Sequence, residues 1–135
     1  WTTILRRRGM RVTAVAPAPL YPWLTYDLEV EHVPELAEDY LTRCRTTFDL
    51  IVNDMKLDVP DSARLMVDYA RHLRPEGIAI MTLKLRGRSR HSTIDHGLRI
   101  LRKAYKILRI RQLVSNRLEV TLFLRRKTYA GRSAS

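Results

Sequence analysis

Apolar positions recur along the chain with two spacings, one typical of strands and one typical of helices. Short apolar runs bounded by turn-forming residues predict strands at 11–17, 28–33, 48–53 and 77–85. Apolar residues at helical spacing predict helices at 2–8, 34–44, 60–77 and from Ser92 onwards. Two more strands are predicted at 108–115 and 117–125, and they form an antiparallel pair because a single residue, Asn116, separates them. This order predicts an α/β fold with a mostly parallel sheet that ends in an antiparallel hairpin.

Turn and cap residues set the limits of these elements. Gly9 ends the first helix, and three prolines make residues 17–27 a loop. The sequence RPEG ends the helix that begins at residue 60. Ser92 forms a capping box with Asp95 at the start of the last helix. The apolar face of that helix is predicted to comprise Ile94, Leu98, Leu101, Tyr105 and Leu108.

The charge of the chain, +11 in total, is concentrated in its C-terminal part. Residues 1–85 contain 11 Lys and Arg against 12 Asp and Glu, whereas residues 86–135 contain 14 Lys and Arg against Asp95 and Glu119 alone. Such segregation indicates a polyanionic partner, most simply a nucleic acid. The alternative is a basic surface that contacts solvent and nothing else.

Several classes of protein are disfavoured by the composition. No apolar stretch approaches the roughly 18 residues that a membrane-spanning helix requires. The single cysteine, Cys44, allows no intrachain disulfide and fits a reducing, cytoplasmic location. The histidines lie on different predicted elements without the spacing of a metal site, so no metal is predicted: His32, His72, His91 and His96.

Three polar residues interrupt apolar strands and are candidates for chemistry. Asp54 follows the strand FDLIVN, Lys84 lies near the end of the strand GIAIMTLKL, and Glu119 lies in RLEVTLF. Each has an ordinary explanation: Asp54 can begin a turn or a helix, Lys84 can extend to solvent from an edge strand, and Glu119 can face solvent. Because ligands bind beyond the carboxyl ends of the strands in α/β sheets, we expect the three side chains to converge at one rim.

The segments FDLIVNDM, MTLKL and NRLEVTLFLRR resemble the second half of the catalytic domain of FtsJ-type ribose 2′-O-methyltransferases. The resemblance is strongest to bacterial members that methylate a cytidine ribose in large-subunit ribosomal RNA. The N-terminal WTTILRRRGMRVTAVAPAPL is similar to the stretch that follows the glycine-rich cofactor loop of this family. The resemblance implies a Rossmann-like fold in residues 1–127, with a partial catalytic domain that lacks the first strand and the glycine-rich loop. The sequence of the remaining residues, 128–135, predicts a flexible tail.

The resemblance also implies the chemistry of individual residues. The family has a Lys-Asp-Lys-Glu tetrad, and Asp54, Lys84 and Glu119 match its last three members, which implies that they are catalytic. The implied cofactor is S-adenosyl-L-methionine, with Asp54 facing its methyl group. The first lysine of the tetrad would precede the glycine-rich loop and has no counterpart in this sequence.

Other cofactor positions of the family match less well. Where the family has an acid beside the cofactor ribose this chain has Ala16, and near the adenine it has Glu35 and Leu36. These departures leave open a second interpretation, a non-catalytic RNA-binding module with a degenerate methyltransferase fold. A methyltransferase of another substrate is a third interpretation, which the basic C-terminal part disfavours.

The expected partner is RNA, and the resemblance indicates ribosomal RNA. The basic loop at 86–92 is predicted to contact phosphates through Arg86, Arg88 and Arg90. The strand that the family places between 11–16 and 48–53 has no counterpart in this sequence. We therefore predict that these two strands pair directly or that another chain lies between them, which makes self-association through the open edge possible.

Overall fold

A computed structural model describes residues 1–85, 90–112 and 119–128, without the side chains of residues 90 and 91. The chain divides into two compact units, unit 1 (Trp1–Cys44) and unit 2 (Arg45–Ser135). In unit 1 the elements are α1 (Thr2–Arg7), β1 (Val12–Val15), α2 (Pro22–Thr25), β2 (Val30–Val33) and α3 (Ala37–Arg43). In unit 2 they are β3 (Phe48–Asn53), α4 (Val59–Tyr69), a 3₁₀ turn (Ala70–His72), β4 (Leu73–Lys84), α5 (Arg90–Leu101), β5 (Tyr105–Arg111) and β6 (Glu119–Arg126).

Unit 1 is built around a pair of short parallel strands. β1 and β2 pair from Val12 with Val30 to Val15 with Val33. Gly9 has a φ of 77°, a left-handed conformation that glycine adopts without strain, and it ends α1 as predicted. The buried apolar side chains of the unit are few: Leu24, Val33, Tyr40 and Cys44.

Unit 2 contains a four-stranded sheet with the order β3-β4-β6-β5. β3 and β4 are parallel, whereas β6 is antiparallel to both of its neighbours, β4 and β5. The predicted antiparallel pair at the end of the chain is therefore confirmed. Because β6 is antiparallel to β4, its first residues meet the last residues of β4 at one end of the sheet.

The core of unit 2 lies on one face of this sheet, beneath α4 and α5. Alternate residues of β4 and β6 point toward the helices, as the period of a strand requires. The fully buried members of this core from the strands include Leu73, Ala79, Met81, Leu83, Tyr105, Leu122 and Leu124, and those from the helices include Ala63, Met66 and Leu101. The residues that alternate with them, among them Lys84 of β4 and Glu119 of β6, lie on the opposite face of the sheet.

Three predicted boundaries are wrong for identifiable physical reasons. The predicted loop at 17–27 contains α2, because Pro22 at the first helical position is compatible with a helical turn. Residues 73–76 belong to β4 and not to the preceding helix: Leu73 is fully buried and pairs with Phe48, with a register shift before Leu50.

The third wrong boundary is the end of the last helix. α5 begins at Arg90 and ends at Leu101, and Tyr105 belongs to β5. The spacing from Leu101 to Tyr105 is helical, yet the Tyr105 ring is fully buried in the sheet and its hydroxyl donates to the Met66 carbonyl at 2.6 Å. A long-range contact therefore overrides the local periodicity. Leu108 lies in β5 at a register shift and is exposed.

The direct pairing of the strands at 11–16 and 48–53 is also wrong. β1 pairs with β2 and β3 pairs with β4, in two separate sheets. Pairing through a second chain stays a prediction. The hairpin turn at Asn116 and most of the tail lie outside the described residues. No helix in the described part of the chain is long and apolar enough to cross a membrane.

Candidate active site

The end of β3 is fixed by a buried asparagine. Asn53 is nearly fully buried, and its Nδ2 donates to Ser62 Oγ of α4 at 3.0 Å. Its Oδ1 accepts a hydrogen bond from the backbone N–H of Met55 at 3.0 Å, which closes a tight turn around Asp54. Ser62 is buried as well, so the turn is held from the core. This arrangement directs Asp54 away from the core at the carboxyl end of its strand.

Lys84 and Glu119 are brought together by the register of two strands. They are direct cross-strand partners in the antiparallel β4–β6 pair. Lys84 Nζ donates to Glu119 Oε1 at 2.9 Å and to Asp54 Oδ1 at 2.9 Å. The predicted convergence of these three side chains at one rim of the sheet is confirmed. Their roles in chemistry are a separate matter.

The cluster lies on the face of the sheet opposite the helices. Leu83 and Val120, its neighbours in β4 and β6, are almost fully buried in the core. By alternation Lys84 and Glu119 point to the other side. The Lys84 side chain is 17% exposed, whereas those of Asp54 and Glu119 are 46% and 38% exposed. The lysine is thus enclosed and the two carboxylates are open to a ligand.

Lys84 is cationic in this arrangement. Burial acts to lower its pKa, but the hydrogen bonds to Asp54 and Glu119 together outweigh burial, and the pKa of Lys84 is raised. An ammonium group has three N–H donors, and two of them are directed at carboxylate oxygens. No acceptor among the described residues takes the third donor, which can position an incoming oxygen atom. The geometry favours a charged, hydrogen-bonding lysine over a lysine kept neutral by burial.

The candidate cofactor residues of unit 1 have other contacts. The backbone N–H of Ala16 donates to Val33, and the Ala16 carbonyl lies 3.0 Å from His32 Nε2. Glu35 accepts hydrogen bonds from Arg43, with the shortest contact at 2.5 Å. Leu36 is the N-terminal flanking residue of α3 and is 55% exposed. None of these side chains presents an unengaged hydrogen-bond acceptor, as a ribose hydroxyl would need.

The candidate RNA-binding arginines cannot be placed. Arg86 and Arg88 lie outside the described residues, and of Arg90 the backbone position at the start of α5 is described but the side chain is not. Within the described part of the chain no three His, Cys, Asp or Glu side chains form a group that could hold a metal ion.

Sequence reasoning missed Asn53 and Ser62. Both were apparent as polar residues next to or within apolar segments, Asn53 as the last residue of a buried strand and Ser62 on the apolar side of an amphipathic helix. A buried polar residue needs a hydrogen-bond partner, and that requirement could have linked the two.

Comparison with known proteins places the fold. The chain is 36% identical over 127 residues to ribosomal RNA large subunit methyltransferase M of Halorhodospira halophila, an alignment that covers 93% of this chain and 36% of that protein. No protein-family model matches the chain. Among solved structures, a fibrillarin pre-rRNA processing protein of Methanococcus jannaschii superposes with a TM-score of 0.72 at 16% identity, over 85% of this chain and 55% of that one. Fibrillarin of Aeropyrum pernix with natively bound S-adenosyl-L-methionine superposes with a TM-score of 0.64 at 19% identity, over 84% and 55%.

The chain has a methyltransferase fold. It is a relative of ribosomal RNA large subunit methyltransferase M, and the resemblance found in its sequence is confirmed. The chain spans about a third of the length of the curated relatives that it matches. In this methyltransferase fold the Lys84 cluster lies at the carboxyl ends of parallel strands, where α/β folds bind their ligands.

Proposed function

We propose that this chain supplies catalytic residues of an S-adenosylmethionine-dependent ribose 2′-O-methyltransferase of large-subunit ribosomal RNA. One observation carries the proposal: in a methyltransferase fold, Lys84 is held between Asp54 and Glu119 at the carboxyl end of β4. The rRNA methyltransferase relatives support ribosomal RNA as the substrate. Asp54, Lys84 and Glu119 are the proposed catalytic residues, and residues 1–127 the proposed catalytic part.

The cluster suits methyl transfer to a hydroxyl group. With S-adenosyl-L-methionine bound, the ribose 2′-hydroxyl oxygen would form a bond to the methyl carbon as the bond from that carbon to sulfur breaks, and the hydroxyl proton would pass to a carboxylate or to water. The third N–H of Lys84 donates to the hydroxyl oxygen and aims one of its lone pairs. Glu119 and Asp54 hold the ammonium group in place, since each accepts a hydrogen bond at 2.9 Å. Orientation and electrostatics are the contributions of these residues.

S-adenosyl-L-methionine supplies an electrophilic methyl group on a cationic sulfur. The half-exposed Asp54 carboxylate fits that charge, because it lies in an open position beyond β3. The positions near Ala16, Glu35 and Leu36 fit less well, since alanine and leucine have no acceptor and Glu35 is paired with Arg43. We therefore assign to this chain the contact at the methyl group, and we assign to Ala16, Glu35 and Leu36 at most backbone and apolar contacts with the cofactor.

A non-catalytic RNA-binding module is the second candidate. It is favoured by Ala16, Glu35 and Leu36, which offer no free carboxylate for a cofactor ribose. It predicts RNA binding without methyl transfer. The hydrogen-bonded cluster of Asp54, Lys84 and Glu119 is not required for that alternative, whereas the proposed enzyme requires it.

Two finer proposals concern location and association. The single cysteine fits the reducing cytoplasm, where we expect the protein to act. β1 and β3 each have one hydrogen-bonded neighbour in the described structure, so each has an edge to which a further strand can add. We expect any self-association to use these edges.

The test is genetic and uses the protein in its own cell. The gene is disrupted in the source organism, and ribose methylation of large-subunit ribosomal RNA is mapped by mass spectrometry of nuclease fragments. We expect one 2′-O-methyl group to disappear and to return with the wild-type gene. Arg64→Ala, a change of an exposed side chain on α4, is the control that restores methylation.

Complementation with Lys84→Ala separates the two candidates. We expect no methylation in that strain at equal protein level. Restored methylation would show that the Lys84 side chain is not needed for methyl transfer and would favour the non-catalytic RNA-binding module. An unchanged methylation map after gene disruption would contradict ribosomal RNA as the substrate.

A further inference from the structure

Four cations form a row on the sheet of unit 2 that the catalytic proposal does not use. Lys106, Arg109 and Arg111 lie on β5, the edge strand of the sheet, and Arg125 lies on the neighbouring β6. We call this row the basic strip. Lys106 and Arg125 are direct cross-strand partners, and both line a shallow pocket at one end of the sheet.

A register shift aligns the strip. In a regular strand Lys106 would share its face with Leu108 and Ile110. The shift between Ile107 and Arg109 reverses the alternation, so that Arg109 lies opposite Phe123 and Arg111 lies opposite Thr121. The three cations of β5 consequently point to one side of the sheet.

That side is the side of the catalytic cluster. Thr121, Phe123 and Arg125 alternate with the buried residues of β6, as Glu119 does. Glu119 is the partner of Lys84. The strip therefore runs along the same face toward Lys84, over about 20 Å if each step of the strand from Arg125 to Glu119 has the ordinary rise of a β-strand.

The strip is exposed and mostly unneutralised. Lys106, Arg109 and Arg111 are exposed, and none of them forms an ion pair with a carboxylate in the described part of the chain. Arg125 lies 3.9 Å from Glu76, at the outer limit of an ion pair. A row of like charges on adjacent strands is unfavourable by itself. It is compatible with stability where a polyanion neutralises it.

We infer that the basic strip is a track for the phosphates of single-stranded RNA, which leads the strand to the ribose that Lys84 positions. The inference rests on the proposed function. Successive cations on one face of a strand are about 7 Å apart, so each can meet a different phosphate of an extended chain. The half-buried Phe123 between them offers an aromatic surface to a base. The positive charge of the strip indicates a negatively charged ligand such as RNA. Because the strip shares a face with Lys84, RNA bound along it would extend toward Lys84.

The experiment measures RNA affinity as a function of salt. The probe is a fluorescein-labelled oligouridine of about 12 nucleotides, bound to the purified full protein and followed by anisotropy. The strip variant combines Lys106→Ala, Arg109→Ala and Arg111→Ala. Since each phosphate contact on a single strand contributes about 0.7 to the slope of log affinity against log salt, we expect the slope to flatten by about 2. The same relation predicts about a 100-fold weaker affinity at 0.1 M salt.

The matched control removes the same charge from the helical side of unit 2. It combines Arg64→Ala, Arg71→Ala and Arg99→Ala, all at exposed positions. We expect its slope and affinity to stay close to those of the wild type. Circular dichroism melting of both variants checks that they fold. If the strip variant fails to fold, cross-linking of 4-thiouridine RNA to the wild-type protein replaces it, with the cross-link expected in the peptides of β5 or β6.

The outcomes separate this inference from the proposed function. A strip variant with the wild-type slope, or a cross-link confined to other peptides, would overturn the track even if the protein methylates RNA. An equal loss in the control variant would also overturn it, because net charge alone would then explain binding. If the strip variant loses RNA binding and the wild-type protein has no methyl-transfer activity, the RNA-binding role of the strip is supported and the proposed methyltransferase function is contradicted.

Discussion

The two units of the chain stabilise themselves in different ways. Of the buried apolar residues in the described structure, 18 lie in unit 2 and four in unit 1, although unit 1 contributes eight of the ten large apolar side chains that are exposed. The exposed group of unit 1 includes a stacked pair, Tyr21 and Trp23, whose ring centroids are 4.7 Å apart. Among the described residues, unit 2 encloses a core of its own, whereas unit 1 buries few apolar side chains and exposes more of the large ones.

The polar groups follow the same division. Among the residues that the structure describes, the buried polar ones are Asn53, Ser62 and Thr82, all in unit 2. Unit 1 contains ion pairs, among them the partly buried pair of Arg6 with Asp27 and the more exposed pair of Arg11 with Glu29. A charged cluster is held in one geometry more firmly by buried neighbours than by solvated ones. In unit 2 the buried Asn53–Ser62 hydrogen bond holds the turn around Asp54, whereas the cofactor candidates of unit 1 have separate contacts.

The largest effect is expected when the same type of substitution, leucine to alanine, is made once in each unit. Leu122→Ala removes a fully buried side chain from the core of unit 2 and should lower the free energy of unfolding by about 2–5 kcal/mol. Leu28→Ala removes a side chain that is 97% exposed and should change it by less than about 0.5 kcal/mol. Urea unfolding followed by circular dichroism measures both.

An equal loss of unfolding free energy in Leu122→Ala and Leu28→Ala would show that both units bury their apolar side chains to a similar degree. It would mean that the surface around Leu28 is covered in solution, by a second copy or by another part of a longer protein. A dependence of the Leu28→Ala effect on protein concentration would then identify self-association.

A smaller difference is expected between buried and surface polar contacts. Asn53→Ala leaves the Ser62 hydroxyl without its partner and should cost about 1–3 kcal/mol of unfolding free energy. Arg11→Ala breaks a surface ion pair with Glu29 and should cost less than Asn53→Ala. If Asn53→Ala is the milder change, the turn around Asp54 does not depend on the core.

The sequence predicted the parts of this structure that depend on local patterns. The limits of β3 were correct because an apolar run ends abruptly at polar residues. Asp54, Lys84 and Glu119 were located as polar residues in apolar strands and by the family resemblance of three segments. The end of α5 and the start of β4 were not predictable in this way. The bond from Tyr105 to Met66 and the pairing of Leu73 with Phe48 join residues distant in sequence. The basic strip was hidden for the same reason, since a register shift aligns its cations.

A third prediction compares two titrations. The hydrogen bond from Arg6 lowers the pKa of Asp27 in unit 1, and the two carboxylates raise the pKa of Lys84 in unit 2. Asp27 should stay ionised to lower pH than a free aspartate, and Lys84 should stay charged to higher pH than a free lysine. The Lys84 interactions are therefore complete at neutral pH and are lost as the pH rises through its folded-state pKa.

Nuclear magnetic resonance of the two side chains measures these values. Asp54→Asn removes one of the charges that act on Lys84 and should lower the pKa of Lys84, while leaving that of Asp27 unchanged. Arg6→Ala should raise the pKa of Asp27 alone. A Lys84 pKa below 10.5 in the wild type would show that burial outweighs the carboxylates, and would restore a neutral lysine as the better description.

The most direct test of the account is the single-turnover rate of ribose methylation with Lys84→Ala. The purified protein, saturated with S-adenosyl-L-methionine, is mixed with its ribosomal RNA, and transfer of labelled methyl groups is timed. We predict a rate lower by roughly 10²–10³-fold, as for the loss of one preorganised hydrogen-bond donor, with nearly unchanged cofactor affinity, because Lys84 acts on the hydroxyl and not on the cofactor. Lys84→Arg should also be slow, since a planar guanidinium cannot replace a compact ammonium between Asp54 and Glu119. A Lys84→Ala protein that methylates RNA at the wild-type rate would contradict the central claim.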